Sequence, residues 1–181
     1  METVFNDFTR YKIADETIIS KYKGILPGEL IETWERYGFG IFANGFLKVI
    51  NPDDHLNILE SSYIRHKQAI PIFTTAMGDI IVWEKDKYVN LLHYRKGHVN
   101  VVSSGFEFFF DDLKDDDFMN DELVWHPYPK AVSKYGAPNY DECFGYTPLL
   151  GLGGTEKIKN LRKVKLKEHL HIITEFIGPI E

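Results

Sequence analysis

The chain has 181 residues, of which 44% are hydrophobic and 14% aromatic, so it can bury one sizeable core and is not expected to be disordered. Its formal net charge of −6 argues against nucleic acid as a direct partner, because phosphate binding requires a basic face. The single cysteine, Cys143, excludes an internal disulfide, and no run is apolar enough to span a membrane. We therefore expect a cytoplasmic protein that makes no membrane contact.

The N-terminal residues predict short helices. Apolar residues at helical spacing place one or two helices within residues 4–22, with Asp15 as an N-cap. A longer helix is predicted at residues 29–37, and its apolar stripe carries Trp34. Gly38 ends this helix, because glycine is the usual residue just beyond a helix C-terminus.

A strand and another helix precede the central segment. Residues 46–50 predict the strand, and the proline in residues 51–53 indicates the start of the helix. Leu56, Leu59 and Tyr63 follow the spacing of a buried helical face. Both elements are therefore expected to pack on a common core.

The predicted fold is organised around residues 69–103. Four runs in this segment are rich in β-branched and aromatic residues, and short turns that bear glycine or aspartate separate them. The runs are residues 70–76, 79–84, 88–94 and 98–102. This pattern is typical of an antiparallel meander, and four strands with an apolar face can anchor a domain.

The C-terminal half predicts mostly helices and loops. Four phenylalanines in residues 105–113 indicate a helix under the sheet, with Ser103 or Ser104 as its N-cap. Further on we predict a break at residues 126–129, a short helix at 130–135, an irregular stretch at 139–146, a tight glycine turn at 151–155 and a final helix at 164–177. The predicted fold class is therefore α+β, with a central antiparallel β-meander packed against several helices and a C-terminal helical segment.

An acidic segment is the most unusual feature of the sequence. Its carboxylates are Asp111, Asp112, Asp115, Asp116, Asp117, Asp121 and Glu122. Lys114 is the only basic residue among them, so like charges repel one another. The segment is either a solvated face or a contact surface for a basic partner. A third interpretation is that the basic run at residues 157–167 faces it within the fold.

The sequence contains no established catalytic motif. The candidates for a small hydrolase or a metal-dependent enzyme are His93 and His98, which flank a predicted hairpin, and His126. Cys143 lacks a second cysteine at metal-binding spacing. The glycines of residues 151–155 match neither a dinucleotide fingerprint nor a Walker loop. We therefore predict no cofactor.

Several stretches nevertheless have a familiar pattern. In the N-terminal half these are LPGELIETWERYGFG, NGFLKVINPDDH and IPIFTTAMGDIIVWE, which together resemble the GAD-like domain and the wider SUKH superfamily of bacterial toxin-immunity proteins. The C-terminal stretch GYTPLLGLGGTEKIKNLRKVKLKEHLHIITEFIGPIE resembles the domain that follows it in immunity proteins for type VI secretion DNase effectors. The resemblance divides the chain into a GAD-like domain, residues 1–113, and an immunity-type segment, residues 114–181, that packs on it or continues the same globule.

The resemblance implies a non-enzymatic α/β binding protein that neutralises a toxin by occlusion. The leading hypothesis is an immunity protein whose acidic segment binds a cognate toxin, a basic nuclease being the expected class. The alternative is a hydrolase or metal enzyme that uses His93, His98 or His126. A further alternative is an intracellular scaffold with no toxin partner.

Overall fold

Seven strands of the computed structural model, which describes residues 2–181, form one antiparallel sheet in which each strand pairs with the next along the chain. They are β1 (Thr9–Lys12), β2 (Phe39–Phe42), β3 (Leu47–Val49), β4 (Ala69–Thr75), β5 (Ile80–Glu84), β6 (Tyr88–His93) and β7 (His98–Ser104). The predicted four-stranded meander, which corresponds to β4–β7, is therefore confirmed as the larger part of this sheet.

Within residues 2–181, seven α-helices and a second, two-stranded sheet accompany the large sheet. The helices are α1 (Glu16–Tyr22), α2 (Gly28–Tyr37), α3 (Leu56–Ser62), α4 (Phe109–Asp112), α5 (Asp116–Asp121), α6 (Pro127–Tyr135) and α7 (Leu166–Ile177). The antiparallel pair β8 (Glu142–Tyr146) and β9 (Leu161–Lys165) precedes α7. The predicted α+β class with a C-terminal helix is confirmed.

The large sheet is covered on both faces. Successive side chains of a strand point to opposite faces, so Ile81 and Leu91 belong to one core cluster and Ile80 and Leu92 to another. Every residue of β5 is buried, which explains why its sequence is a nearly continuous apolar run.

Both clusters combine residues from the two halves of the chain. The first cluster joins Phe73 of β4 with Trp34 of α2, Phe109 of α4 and Phe144 of β8. The second joins the opposite face of β5 with residues of α3 and α7, among them Leu170. The C-terminal half therefore supplies core residues on both sides of the sheet.

Trp34 is a central residue of the first cluster. Its side chain is 1% exposed and makes edge-to-face contacts with Tyr22 and Phe39, at ring-centroid distances of 5.8 and 5.3 Å. Tyr22 lies on α1, so the indole joins the two helices that precede β2. The predicted burial of Trp34 is confirmed.

We expect Trp34→Ala to lower the free energy of unfolding by about 3–5 kcal/mol, because it removes a large buried side chain and leaves a cavity. Denaturant unfolding followed by circular dichroism would measure this loss. Glu35→Ala is the matched control, since Glu35 is the exposed next residue of α2 and its change should stay within about 0.5 kcal/mol. A Trp34→Ala protein as stable as wild type would contradict the structural role of the indole.

Three predicted details of the N-terminal half and central segment are wrong. Residues 9–12 form strand β1 rather than helix, because their backbone pairs with β2 although all four side chains are exposed. Leu56 is 38% exposed and Ile58 is buried, since α3 begins only after a separate 3-10 turn. Ser103 and Ser104 do not cap a helix, because they extend β7 by pairing with β6.

The C-terminal half also differs from the prediction at three places. Residues 142–146 are not irregular, because they form β8 and pair with β9. Residues 164 and 165, predicted as the start of the final helix, belong to β9 instead. The predicted break at residues 126–129 is instead the start of α6. Pro127 and Pro129 lie in its first turn, where the backbone N–H groups have no intrahelical acceptor to lose.

Candidate partner-binding surface

The acidic segment lies on the outside of the molecule around α4 and α5. Phe106, Phe109, Phe110 and Leu113 are buried in the first cluster and fix this part of the chain against the sheet. The intervening polar residues consequently face outward. Asp111, Asp115, Asp116, Asp117 and Asp121 are exposed, while Asp112 and Glu122 are half-buried. The structure thus collects the seven predicted carboxylates on one continuous surface segment.

Two of these carboxylates have local structural partners. Asp115 is the N-cap of α5, and its Oδ1 accepts hydrogen bonds from the backbone N–H of Asp117 at 2.8 Å and of Phe118 at 3.4 Å. The Lys114 ammonium lies 2.6 Å from Asp111 Oδ1, and this contact lowers the pKa of Asp111. Asp115 therefore contributes to helix formation as well as to surface charge.

The remaining carboxylates are not neutralised by the residues that the structure describes. Among residues 2–181, Asp116, Asp117, Asp121 and Glu122 form no ion pair. Partial burial raises the pKa of Asp112, and the neighbouring Asp111 and Asp115 raise it further. The segment thus carries an uncompensated negative charge.

The basic run does not provide the missing countercharge. Lys165 lies 2.5 Å from Asp141 and 3.7 Å from Glu142, and Lys167 donates a hydrogen bond to the carbonyl of Asp54. Other exposed cations of residues 157–167 form no ion pair with the acidic segment within the described chain. No ion pair among residues 2–181 therefore supports the interpretation in which this run faces the acidic segment within the fold.

The three candidate catalytic histidines do not form one site. His93 is fully buried in the sheet, whereas His98 is exposed at the start of β7, with the two ring centroids 5.1 Å apart. His126 is exposed at the N-terminus of α6. Within residues 2–181 no group of three or more His, Cys, Asp or Glu side chains is placed to hold a metal ion.

Cys143 does lie near a histidine, but in the core. Its thiol and the His169 ring both approach Gly78, where a Cβ would lie 3.2 Å from Cys143 Sγ and 3.7 Å from His169 Cδ2. Burial raises the pKa of the Cys143 thiol to about 12 and lowers the pKa of His169. A buried, protonated thiol is a poor nucleophile, so this pair is a packing feature.

The glycine turn at residues 151–155 is also a packing feature, as predicted. Gly154 donates its N–H to the carbonyl of Leu149, and a Cβ at Gly154 would collide with the carbonyl oxygens of Pro148 and Leu149. Only glycine permits this close approach of backbone to backbone. The turn therefore needs no phosphate ligand to explain its composition.

A buried ionic group was not predicted from the sequence. Arg95 donates from Nε and Nη2 to Asp79 Oδ2, at 3.0 and 2.7 Å, and His93 Nδ1 lies 3.3 Å from Asp79 Oδ1. Burial alone raises the pKa of Asp79, but Arg95 and His93 outweigh it and lower the pKa to about 2. Asp79 was assigned to the start of the predicted strand 79–84 and Arg95 to the turn after residues 88–94, and local sequence gives no sign that they meet in the core.

Comparison with known proteins identifies both halves of the chain. The family model described as "GAD-like domain" matches residues 1–94, and the model described as "T6SS immunity protein Tdi1, C-terminal" matches residues 103–177. No curated protein matches the sequence. No helix within residues 2–181 is long and apolar enough to cross a membrane.

A solved structure has the same fold. It is described as "Crystal structure of Atu4351 from Agrobacterium tumefaciens", with a TM-score of 0.75 and 16% sequence identity. The match covers 94% of this chain and 86% of that chain. At 16% identity this likeness shows a shared fold only, whereas the family models match the amino-acid sequence itself. The chain therefore belongs to the GAD-like domain family and, through its second half, is a type VI secretion immunity-type protein.

Proposed function

We propose that this protein binds a cognate secreted toxin in the cytoplasm and neutralises it by occluding its active site. The observation that carries the proposal is the order of the two family matches, a GAD-like domain followed by the C-terminal region of an immunity protein. The region matched by the immunity family also contains the whole acidic segment. The proposed partner-binding surface and the match to the immunity family thus fall on the same part of the chain.

We further propose that the toxin is a basic nuclease and that the acidic segment contacts it. A nuclease must attract DNA, so its active-site face tends to be positive, and an acidic protein surface can occupy that face. The contacting residues would be Asp111, Asp112, Asp115, Asp116, Asp117, Asp121 and Glu122. Association would also relieve the repulsion among them, and a stable complex would bury on the order of 1,600 Å².

The enzymatic alternative gains no support from the site geometry. A hydrolase would need His93, His98 or His126 beside an accessible nucleophile or metal, but His93 is buried. His126 belongs to a different element from the other two. The scaffold alternative differs from the leading proposal only in its partner, which would not be a toxin.

We expect the toxin to be encoded directly upstream. Co-purification of this upstream-encoded protein with the chain would therefore favour the immunity function over the scaffold function.

The combined change of Asp115, Asp116 and Asp117 to asparagine is expected to slow association with this toxin at low salt. Asparagine keeps the side-chain shape and, at residue 115, the helix cap, so the fold should be retained. The loss of three charges weakens electrostatic steering, which acts over about 8 Å at physiological ionic strength. Stopped-flow association at low and high salt measures the effect, and the difference between the two proteins should shrink at high salt.

The matched control changes Glu32, Glu35 and Glu60 to glutamine. These residues are exposed on α2 and α3, so the control alters net charge equally but leaves the acidic segment intact. Its association rate should stay closer to wild type. Equal rates for wild type and the Asp115/116/117 variant at low salt would show that the acidic segment is only a solvated face.

A further inference from the structure

A cavity of about 300 Å³ lies beside the acidic segment, where the two family-matched halves of the chain meet. Its apolar lining comes from Val4 of the N-terminal 3-10 turn (Glu2–Phe5), Ala43 of the β2–β3 turn, Leu113 and Met119 of the acidic segment, and Trp125. This volume is at the lower end of the range for small-molecule pockets, roughly 300–1,000 Å³. The cavity is therefore large enough for one extended side chain.

Two carboxylates share this cavity with the apolar residues. Asp116, the first residue of α5, lines it and has no ion-pair partner within the described chain. Asp7 lines it from the other half of the chain, and Asp7 Oδ2 accepts the backbone N–H of Asn44 at 2.5 Å. Lys114 also lines the cavity, but its ammonium is paired with Asp111. The cavity consequently combines an apolar wall with two negative groups.

The cavity wall is held in place before any ligand binds. Asn44 belongs to the β2–β3 turn and has a left-handed backbone with φ of 56°. Its carbonyl accepts the Tyr128 hydroxyl at 3.0 Å, which ties this turn to α6. On the opposite side, Leu113 and Met119 are buried in the first core cluster. A preformed cavity avoids part of the ordering cost of binding.

We propose that this cavity receives a single long cationic side chain, arginine or lysine, from the bound toxin. This inference rests on the proposed function and adds the position of an anchoring residue. The aliphatic stem of such a side chain would pack on Leu113, Met119 and Trp125, while its charge would lie near Asp7 and Asp116. An indole wall adds attraction for a cation, and arginine is enriched among the residues that dominate interface energies. The remaining carboxylates then act mainly in steering.

The Nα-acetylated form of arginine amide and its neutral isostere, Nα-acetylated citrulline amide, test the cavity without any toxin. Titration of the ¹⁵N-labelled full-length protein should shift the Trp125 indole signal and the amides of residues 113–119 with arginine amide only. Asp116→Asn should weaken this binding by about fivefold, because it removes the unpaired carboxylate. Asp121→Asn removes an exposed carboxylate that does not line the cavity and should change binding less than about twofold.

Equal shifts with citrulline amide, or equal losses in the Asp116→Asn and Asp121→Asn proteins, would overturn the proposed site. Equal shifts with citrulline amide would show that the cavity does not recognise the side-chain charge. Equal losses in the two variants would show that binding depends only on the total negative charge of the acidic segment. Circular dichroism must show that both variants are folded, which is expected for an isosteric change at exposed positions.

The complex with the upstream-encoded toxin provides the second readout. Asp116→Asn should raise its dissociation rate about tenfold, because an anchored charge pair acts on dissociation, whereas Asp121→Asn should change mainly association. An unchanged dissociation rate for Asp116→Asn would show that the toxin does not use the cavity. If wild type fails to bind the toxin, the proposed function fails, while the arginine amide result still decides whether the cavity is a cation site.

Discussion

Asp79→Ala is expected to lower the free energy of unfolding by about 5 kcal/mol, the upper end of the range for breaking a buried ion pair. Both Asp79 and Arg95 are buried, and the guanidinium donates two hydrogen bonds to Asp79 Oδ2. Removal of the carboxylate leaves a buried cation without its acceptor and adds a small cavity. The loss of stability should therefore exceed the value of about 1 kcal/mol that is typical for the removal of a neutral hydrogen bond.

A double-mutant cycle with Arg95→Met checks this explanation. Removal of both charges avoids the unpaired cation, so the double variant should be more stable than Asp79→Ala alone. Urea unfolding of the four proteins gives the coupling energy. A cost below about 1 kcal/mol for Asp79→Ala would contradict the assigned role of the pair.

The pH dependence of unfolding gives an independent readout of the same pair. The folded-state pKa of Asp79, about 2, lies below the unfolded value of about 3.9. Its contribution to stability is fully present above the unfolded pKa and is lost as the pH falls through the folded pKa. The stability of wild type should therefore fall more steeply between about pH 4 and pH 2 than that of the double variant.

A chain that ends at residue 113 is expected to remain unfolded. The truncation removes Phe144 from the first core cluster and Leu166, Leu170 and Ile173 from the second, so both faces of the sheet lose part of their cover. It also removes the carbonyls of Asn139 and Glu142, to which the fully buried Lys48 donates. Burial already lowers the pKa of Lys48 to about 8. Without these two carbonyl acceptors the ammonium group would lose the hydrogen bonds that offset the cost of burying its charge.

This result would support the proposal that residues 1–113 and 114–181 form one continuous globule. Nuclear magnetic resonance spectra of the truncated chain should lack the dispersion of the full-length protein. As a control, co-expression of the two pieces should restore dispersion, because the missing core residues are then supplied in trans. A dispersed spectrum from residues 1–113 alone would show instead an independently stable GAD-like domain.

The sequence by itself determined the centre of the fold and the charge of its surface. Strands β4–β7 could be predicted because buried strands are short apolar runs, and the turns between them carry residues of distinct backbone preference. Trp34 could be assigned to the core because its helix has one apolar stripe. The acidic segment could be predicted to face solvent because ionised carboxylates are costly to bury.

Only the tertiary structure decided which distant residues meet. Strand β1 has four exposed side chains, so its state depends on backbone pairing with β2, and no local pattern reveals it. Asp79 and Arg95 are 16 residues apart and pair because the meander brings their strands' ends together in the core. Asp7 and Asp116 line one cavity because the C-terminal half folds back beside the N-terminal turn. Local propensity acts over a few residues, whereas such contacts depend on how the whole chain packs.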